Sequence, residues 1–310
     1  MWFLLALAST LLWGAADLFY KRGADGEERY SHLKTSIAVG LVMGLHAILT
    51  LIFGGTAYDF RNILYYLPVS LCYILSMTVG YLGLRYLALS VSSPVQNTSG
   101  AFAALLCFFV LGETLDGLSL VGVVFIAAGL FFLGILERRE ALLEDERGER
   151  KYRIGFAAFF LPIAYCIIDA LGTFFDAYYL DDVSSSPLVG VTEETIEDAA
   201  NISYELTFLL VAILLSVYVF IIRKERPNLR ASRPRLVAAV FETAGQFFYV
   251  YAMSANAIGA APMIASYSIV SVLLSRLFLK EKLTGKQYLA VAVVLLGILL
   301  MGVAEGLAEA

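Results

Sequence analysis

The chain has 310 residues, 60% of them apolar and 16% charged, where soluble globular proteins have about 45–50% and about 25%. That excess excludes an ordinary soluble enzyme, because single cores stop growing near about 250–300 residues, whereas lipid accepts the surplus. The net charge of −5 excludes a broad basic face and, with it, a nucleic-acid partner.

A helix needs about 20 residues to cross about 30 Å of hydrocarbon. In chain order, runs near that length are 2–20, 34–53, 64–89, 94–112, 118–136, 154–180, 202–222, 236–254, 260–279 and 285–303. They are continuously apolar, unlike the alternating strands of a barrel, so the expected fold is an all-α integral membrane bundle of ten transmembrane helices. The first run carries no base before it and Lys21 and Arg22 after it, the reverse of a secretory leader, and is expected to be retained. Of the 22 Lys and Arg, 19 lie in or at the edge of the connections after the first, fifth, seventh and ninth runs, and Arg61 alone follows the second. By the positive-inside rule those connections are cytoplasmic. The expectation is a multi-pass plasma-membrane protein with both termini outside, a cytoplasmic charged linker at 137–153, and an extracytoplasmic loop at 181–200 that holds six acids and no base.

The second half repeats the first. Shifted by 168, Tyr81 falls on Tyr249, Pro94 on Pro262, Glu113 on Glu281, Leu115 on Leu283, Gly117 on Gly285 and Gly129 on Gly297, with 11 identities in 54 positions. A second register, shifted by 152, sets Trp13 on Tyr165 and Asp17 on Asp169. Halves of five spans each cross in opposite senses. The expected units are therefore 1–136 and 154–310, an inverted repeat of the kind that places substrate near the midplane in many secondary transporters.

Trp13-Gly14, the run from Pro94 to Leu111-Gly112-Glu113-Thr114-Leu115, and its echo from Pro262 to Leu279-Lys280-Glu281-Lys282-Leu283 resemble the drug/metabolite transporter superfamily, specifically its ten-helix family with two EamA-type repeats. The resemblance covers nearly the whole chain. It implies export or exchange of amino acids, metabolites or toxic compounds, and cytoplasmic termini, the reverse of the charge count.

Ionisable groups inside spans cost at least about 2.5–3.5 kcal/mol and need a reason. Asp17 and Asp169 each follow an aromatic, Trp13 or Tyr165, by one helical turn, so acid and ring share a face; they could bind a cationic group or carry protons, or only hydrogen-bond a neighbouring helix. Glu242, Gln246, Tyr249 and Met253 form a stripe at spacings of four, three and four, and their repeat equivalents are Ile74, Thr78, Tyr81 and Arg85. Glu242 and Arg85 either pair or divide an amphoteric substrate. Gln96, Asn97 and Ser99 after Pro94, and Ser266, Tyr267, Ser268 and Ser271 after Pro262, are expected at helix starts, where free N–H groups suit an anion unless the hydroxyls only pack helices. Glu113 and Glu281 are expected to organise turns, and lone His46 to pack. Cys72, Cys107 and Cys166 imply neither disulfides nor metal.

The expected function is secondary transport of small polar metabolites, amino acids or derivatives first, by alternating access around a cavity lined by helices 1, 3, 4, 6, 8 and 9. The implied partners are a small-molecule substrate, a coupling proton or cation and the bilayer, with the chain a monomer or homodimer and no cofactor. No phosphate-cradling Gly-x-x-x-x-Gly-Lys-Ser/Thr loop is present, which speaks against ATP use. The rivals are an integral membrane enzyme of lipid or polyisoprenoid metabolism, which would cluster its acids, and a noncatalytic subunit, which would lack interior polar stripes.

Overall fold

A computed structural model describes residues 1–24, 28–55, 57–87, 89–146, 160–227, 229–280 and 283–308. Its helices are α1 (Trp2–Gly23), α2 (Ser31–Phe53), α3 (Asn62–Tyr65), α4 (Leu67–Gly83), α5 (Leu89–Gln96), α6 (Ser99–Leu106), α7 (Gly117–Glu146), α8 (Phe160–Leu180), α9 (Ile196–Ser216), α10 (Leu229–Ala265), α11 (Tyr267–Leu274) and α12 (Gly285–Ala308). Among the described residues eight stretches are long and apolar enough to span a bilayer, and α4 is a shorter apolar helix. One of the eight, Ser232–Leu279, has 48 residues and supplies the eighth and ninth crossings, because the backbone leaves helical geometry at Asn256 (φ −167°, ψ 80°). There the Asn256 side chain accepts the Gly259 N–H at 3.1 Å, capping the helix that restarts. The Glu113 carboxylate takes the Ile258 N–H at 3.0 Å. Glu281 lies outside the described residues.

The repeat is visible element by element. A shift of 168 carries α6 onto α11, and the π-helical turn Cys107–Leu111 that follows α6 onto the one at Ser275–Leu279. It also carries Gly112 (φ 74°) onto Lys280 (φ 60°), so both π-turns end in a left-handed residue. The helix breaks just before α6 and α11 are equivalent too. Thr98 donates its hydroxyl to the Val95 carbonyl at 2.8 Å, and Ser266 donates to Met263 at 2.5 Å; each satisfies backbone that the break frees, as a dry interior requires.

The two halves interlock. The largest helix contacts pair α1 with α10, α7 with α12, α2 with α9, and α4 with α8, each across the halves. Small residues permit the approach: a Cβ on Gly40 would stand 2.3 Å from the Phe208 carbonyl oxygen. Large apolar side chains such as Leu4, Phe53, Phe109 and Leu289 face outward, as lipid allows.

Several expected boundaries move. The third span ends at Gly83 rather than 89, and α5 begins at Leu89, so Pro94 is the sixth residue of a helix and not its start; Pro262 likewise lies inside α10. The helix breaks at Asn97–Thr98 and at Ser266 fall three or four residues after these prolines. Helix α7 continues to Glu146, ten residues into the segment expected as a charged linker, because Glu, Arg, Ala and Leu are all strong helix formers. Residues 147–159 lie outside the description. Helix α9 starts at Ile196, within the expected loop at 181–200, with Glu197 and Asp198 in its first turn, where acids favour the helix dipole.

Candidate functional site

A cavity enclosing about 780 Å³ of atom-free space, its mouth included, lies between the halves. Helix α1 contributes Trp13, Asp17 and Tyr20 at spacings of four and three, one helical face. Helix α8 presents Tyr165, Asp169 and Thr173, and α10 presents Glu242, Gln246 and Tyr249, on the same principle. Gln96, Asn97, Ser99 and Tyr267 come from the two helix breaks, which meet here: a Cβ on Gly100 would lie 2.5 Å from the Ala265 Cβ. The fourth wall is α4, with Tyr73, Met77, Gly80 and Tyr81, and Tyr204 of α9 closes one side.

Asp17 and Asp169 are each held by two hydroxyls, at least one of them from a broken helix. Asp17 accepts Ser93 Oγ at 2.7 Å and Ser271 Oγ at 2.7 Å, the first from its own half and the second from the other. Asp169 accepts Ser99 Oγ at 2.7 Å and Ser76 Oγ at 3.2 Å, both from the opposite half. Glu242 is bound more loosely, by Tyr20 Oη at 3.3 Å. The ring of Trp13 stacks on Tyr249 with centroids 5.2 Å apart and meets Tyr267 edge-on at 5.8 Å, while its Nε1 donates to the Glu242 carbonyl at 3.2 Å. Tyr73 donates to Thr173 at 3.0 Å and shares a hydrogen bond of 2.6 Å with the Tyr249 hydroxyl.

The residues singled out in the sequence thus separate. Trp13, Asp17, Tyr81, Gln96, Asn97, Tyr165, Asp169, Glu242, Gln246, Tyr249 and Tyr267 line one cavity. Ser271 stands behind it, holding Asp17. Thr78 turns away and shares a hydrogen bond of 3.2 Å with Ser36 of α2. Arg85 donates to the Arg29 carbonyl at 2.9 Å and lies over the Tyr86 ring. The expectation that Arg85 pairs with Glu242 or shares a cavity with it is therefore corrected. The helix ends at Gly83, so a helical spacing carried on to 85 no longer places a side chain on the same stripe. His46 is not merely packed: its ring nitrogen lies 2.8 Å from a carboxylate oxygen of buried Glu205, between α2 and α9.

Tyr20, Tyr73, Thr173 and Tyr204 were not legible as site residues, although Tyr20 and Thr173 continue the helical spacings of Asp17 and Asp169. Asp176 was also missed. It lies seven residues after Asp169, about 10 Å further along α8, fully buried, and accepts a hydrogen bond from Tyr66. Beyond it the Asn62 side-chain amide donates to the Val189 carbonyl at 3.0 Å and accepts its N–H at 2.9 Å, joining α3 to the acidic loop. Among the described residues no group of three His, Cys, Asp or Glu is placed to hold a metal.

Comparison with known proteins agrees with this architecture. The model of the EamA-like transporter family matches residues 1–135 and 203–303. No curated protein matches the chain. Among solved structures, one described only as the crystal structure of a protein superposes with a TM-score of 0.67, covering 98% of this chain and 97% of that one at 13% identity, a likeness of fold alone.

Proposed function

We propose, because this chain belongs to the EamA-like transporter family, that it is a secondary transporter moving a small polar metabolite by alternating access around the midplane cavity. The observation that supports this most is the pair Asp17 and Asp169. Each carboxylate lines the cavity and accepts hydroxyls from a broken helix of the opposite half. A proton or other cation arriving at either acid would weaken those bonds, and so couple ion binding to the contact between the halves. The bulk of the Lys and Arg at the ends of α1, α7, α9 and α11 favours an orientation with those ends in the cytoplasm.

Amino acids or their derivatives were the first expectation because acid and base were to share the cavity. With Arg85 bonded to the Arg29 carbonyl, the charged side chains that line the cavity among the described residues are Asp17, Asp169 and Glu242, which recognise an amine. The reading is tested with purified protein in liposomes, by flux of labelled amines, amino acids and nucleosides with and without an imposed proton gradient. Gradient-stimulated flux of at least one class above protein-free liposomes is expected; a reproducible blank across all of them would contradict the transporter reading.

A further inference from the structure

We propose that the cavity selects an organic monocation, an amine on an apolar body that carries one neutral hydrogen-bond acceptor and no free carboxylate. The assignment rests on the transporter reading above and narrows its substrate.

Sign is the first argument. Asp17, Asp169 and Glu242 line the cavity and, among the described residues, no Lys, Arg or His does. The bases nearest its wall are engaged elsewhere: Lys21 donates to the Leu84 and Leu87 carbonyls at 2.8 and 2.7 Å, and Arg85 to the Arg29 carbonyl. A zwitterion would bring its carboxylate among acids with no countercharge, which a low-dielectric site penalises.

The acids are not equivalent. Asp17 and Asp169 each accept two hydroxyls, whereas Glu242 accepts one at 3.3 Å, which leaves most of its four acceptor positions unused. Glu242 thus has the most capacity left for an ammonium, ahead of Asp17, whose two hydroxyls both reach Oδ2. The rings beside it suit the same charge. Tyr20 lies against Tyr81 at 4.7 Å and Trp13 against Tyr249 at 5.2 Å, and an ammonium over such rings gains cation–π attraction, strongest when desolvated.

The neutral acceptor follows from Gln96. This side chain is 6% exposed, lines the cavity, and has a buried Nε2 with no hydrogen-bond partner. A buried N–H donor left unmade is costly, so the bound molecule is expected to supply an acceptor. The Nε2 would stand 3.3 Å from a Cβ on Gly80, and Tyr165 Cδ2 would stand 2.9 Å from it. The glycine therefore lets the Tyr165 ring and the Gln96 amide pack directly against the α4 backbone, which fixes both in the cavity wall.

Four probes with one aromatic body separate the possibilities: phenethylamine, phenylalanine methyl ester, phenylalanine and phenylpropionate. Binding is read from Trp13 fluorescence in liposomes, with Trp2→Phe removing the second indole. The ester and the amine should bind about tenfold tighter than phenylalanine, whose carboxylate finds no countercharge among the acids, with the ester tightest and phenylpropionate silent. Glu242→Gln should weaken the ester and the amine about tenfold, the worth of one charge-assisted hydrogen bond, and Gln96→Leu should bring the ester down to the amine. Where Glu242→Gln fails to fold, Gln96→Leu, which removes no charge, still tests the neutral acceptor, and the ester-to-phenylalanine ratio of the wild type tests the charge. Phenylalanine binding as tightly as its ester would overturn the substrate class and leave the transporter reading standing. No binding by any probe would also overturn the class, and a blank in the flux screen would overturn the transporter reading with it.

Discussion

Asp169→Asn is expected to abolish gradient-driven accumulation of substrate while exchange without a gradient persists and the protein stays folded. The amide has the shape of the carboxylate, so its oxygen can keep the hydrogen bond that Ser99 now donates at 2.7 Å, and the second one from Ser76, at 3.2 Å, is worth only about 0.5–1.5 kcal/mol. What the amide loses is charge. It neither binds a proton nor holds a cation, so an ion gradient has nothing to act on at that acid. Paired measurements check this, accumulation in liposomes under an imposed proton gradient and the unfolding temperature in detergent. Accumulation by Asp169→Asn at the wild-type level would remove the coupling role of this residue.

The largest loss of stability is expected from Arg235→Met. Arg235 is 1% exposed and ties together the base-rich ends of α1, α2 and α10. It donates Nε to the Gly23 carbonyl at 2.9 Å, and its Nη2 reaches Glu28 at 2.5 Å and Ser31 at 3.0 Å. Lys34 completes the cluster, 2.6 Å from Glu28 and 3.4 Å from Glu225. Breaking a buried pair by removing one partner costs about 3–5 kcal/mol, because the surviving charge stays buried. Burial raises the Glu28 pKa, but the hydrogen bonds from Lys34 and Arg235 outweigh it and hold the carboxyl below its ordinary 4.5. A depressed carboxyl stabilises the fold above its unfolded pKa, and that contribution fades as pH falls through the folded value. Melting curves should therefore show wild type losing stability below about pH 4.5, with Arg235→Met less stable near neutrality and less sensitive to acid. Equal melting temperatures for the two proteins would show that the cluster is not a clamp.

Fold and site were legible in the sequence to different degrees, for physical reasons. Ten apolar runs declare ten crossings, since hydrocarbon thickness imposes a length that composition reveals. The exact span ends escape that argument. Pro94 looks like a helix start because proline suits the first turn, yet the chain is already helical from Leu89 and breaks only at Asn97 and Thr98. In the site, polar groups spaced at four and three, such as Trp13 with Asp17 or Glu242 with Gln246 and Tyr249, declare their shared face. Helix α4 departs from the face that the repeat implies. Mapping the α10 stripe through the repeat selects Ile74, Thr78, Tyr81 and Arg85, whereas the cavity face is Tyr73, Met77, Gly80 and Tyr81, a rotation of about one residue, or 100°. Tyrosines inside apolar runs carry no such signal, because bilayer interfaces enrich them as well. That is why Tyr73 and Tyr204 emerge only from the packing, and why Glu205 beside His46 emerges only from the α2–α9 contact.

Alternating access is the central claim, and the most direct test is the accessibility of one cavity position from each side of the membrane. Gln246 lines the cavity. In a variant with Cys72, Cys107 and Cys166 replaced by Ser, Gln246→Cys is treated with a membrane-impermeant thiol reagent in right-side-out and in inverted vesicles, with exposed Ser185→Cys as the marker of the outer face. The account predicts that Ser185→Cys reacts in right-side-out vesicles alone, whereas Gln246→Cys reacts in both, with the balance between them shifting when the proton gradient is reversed. Reaction of Gln246→Cys from one side only, under every gradient imposed, would contradict it.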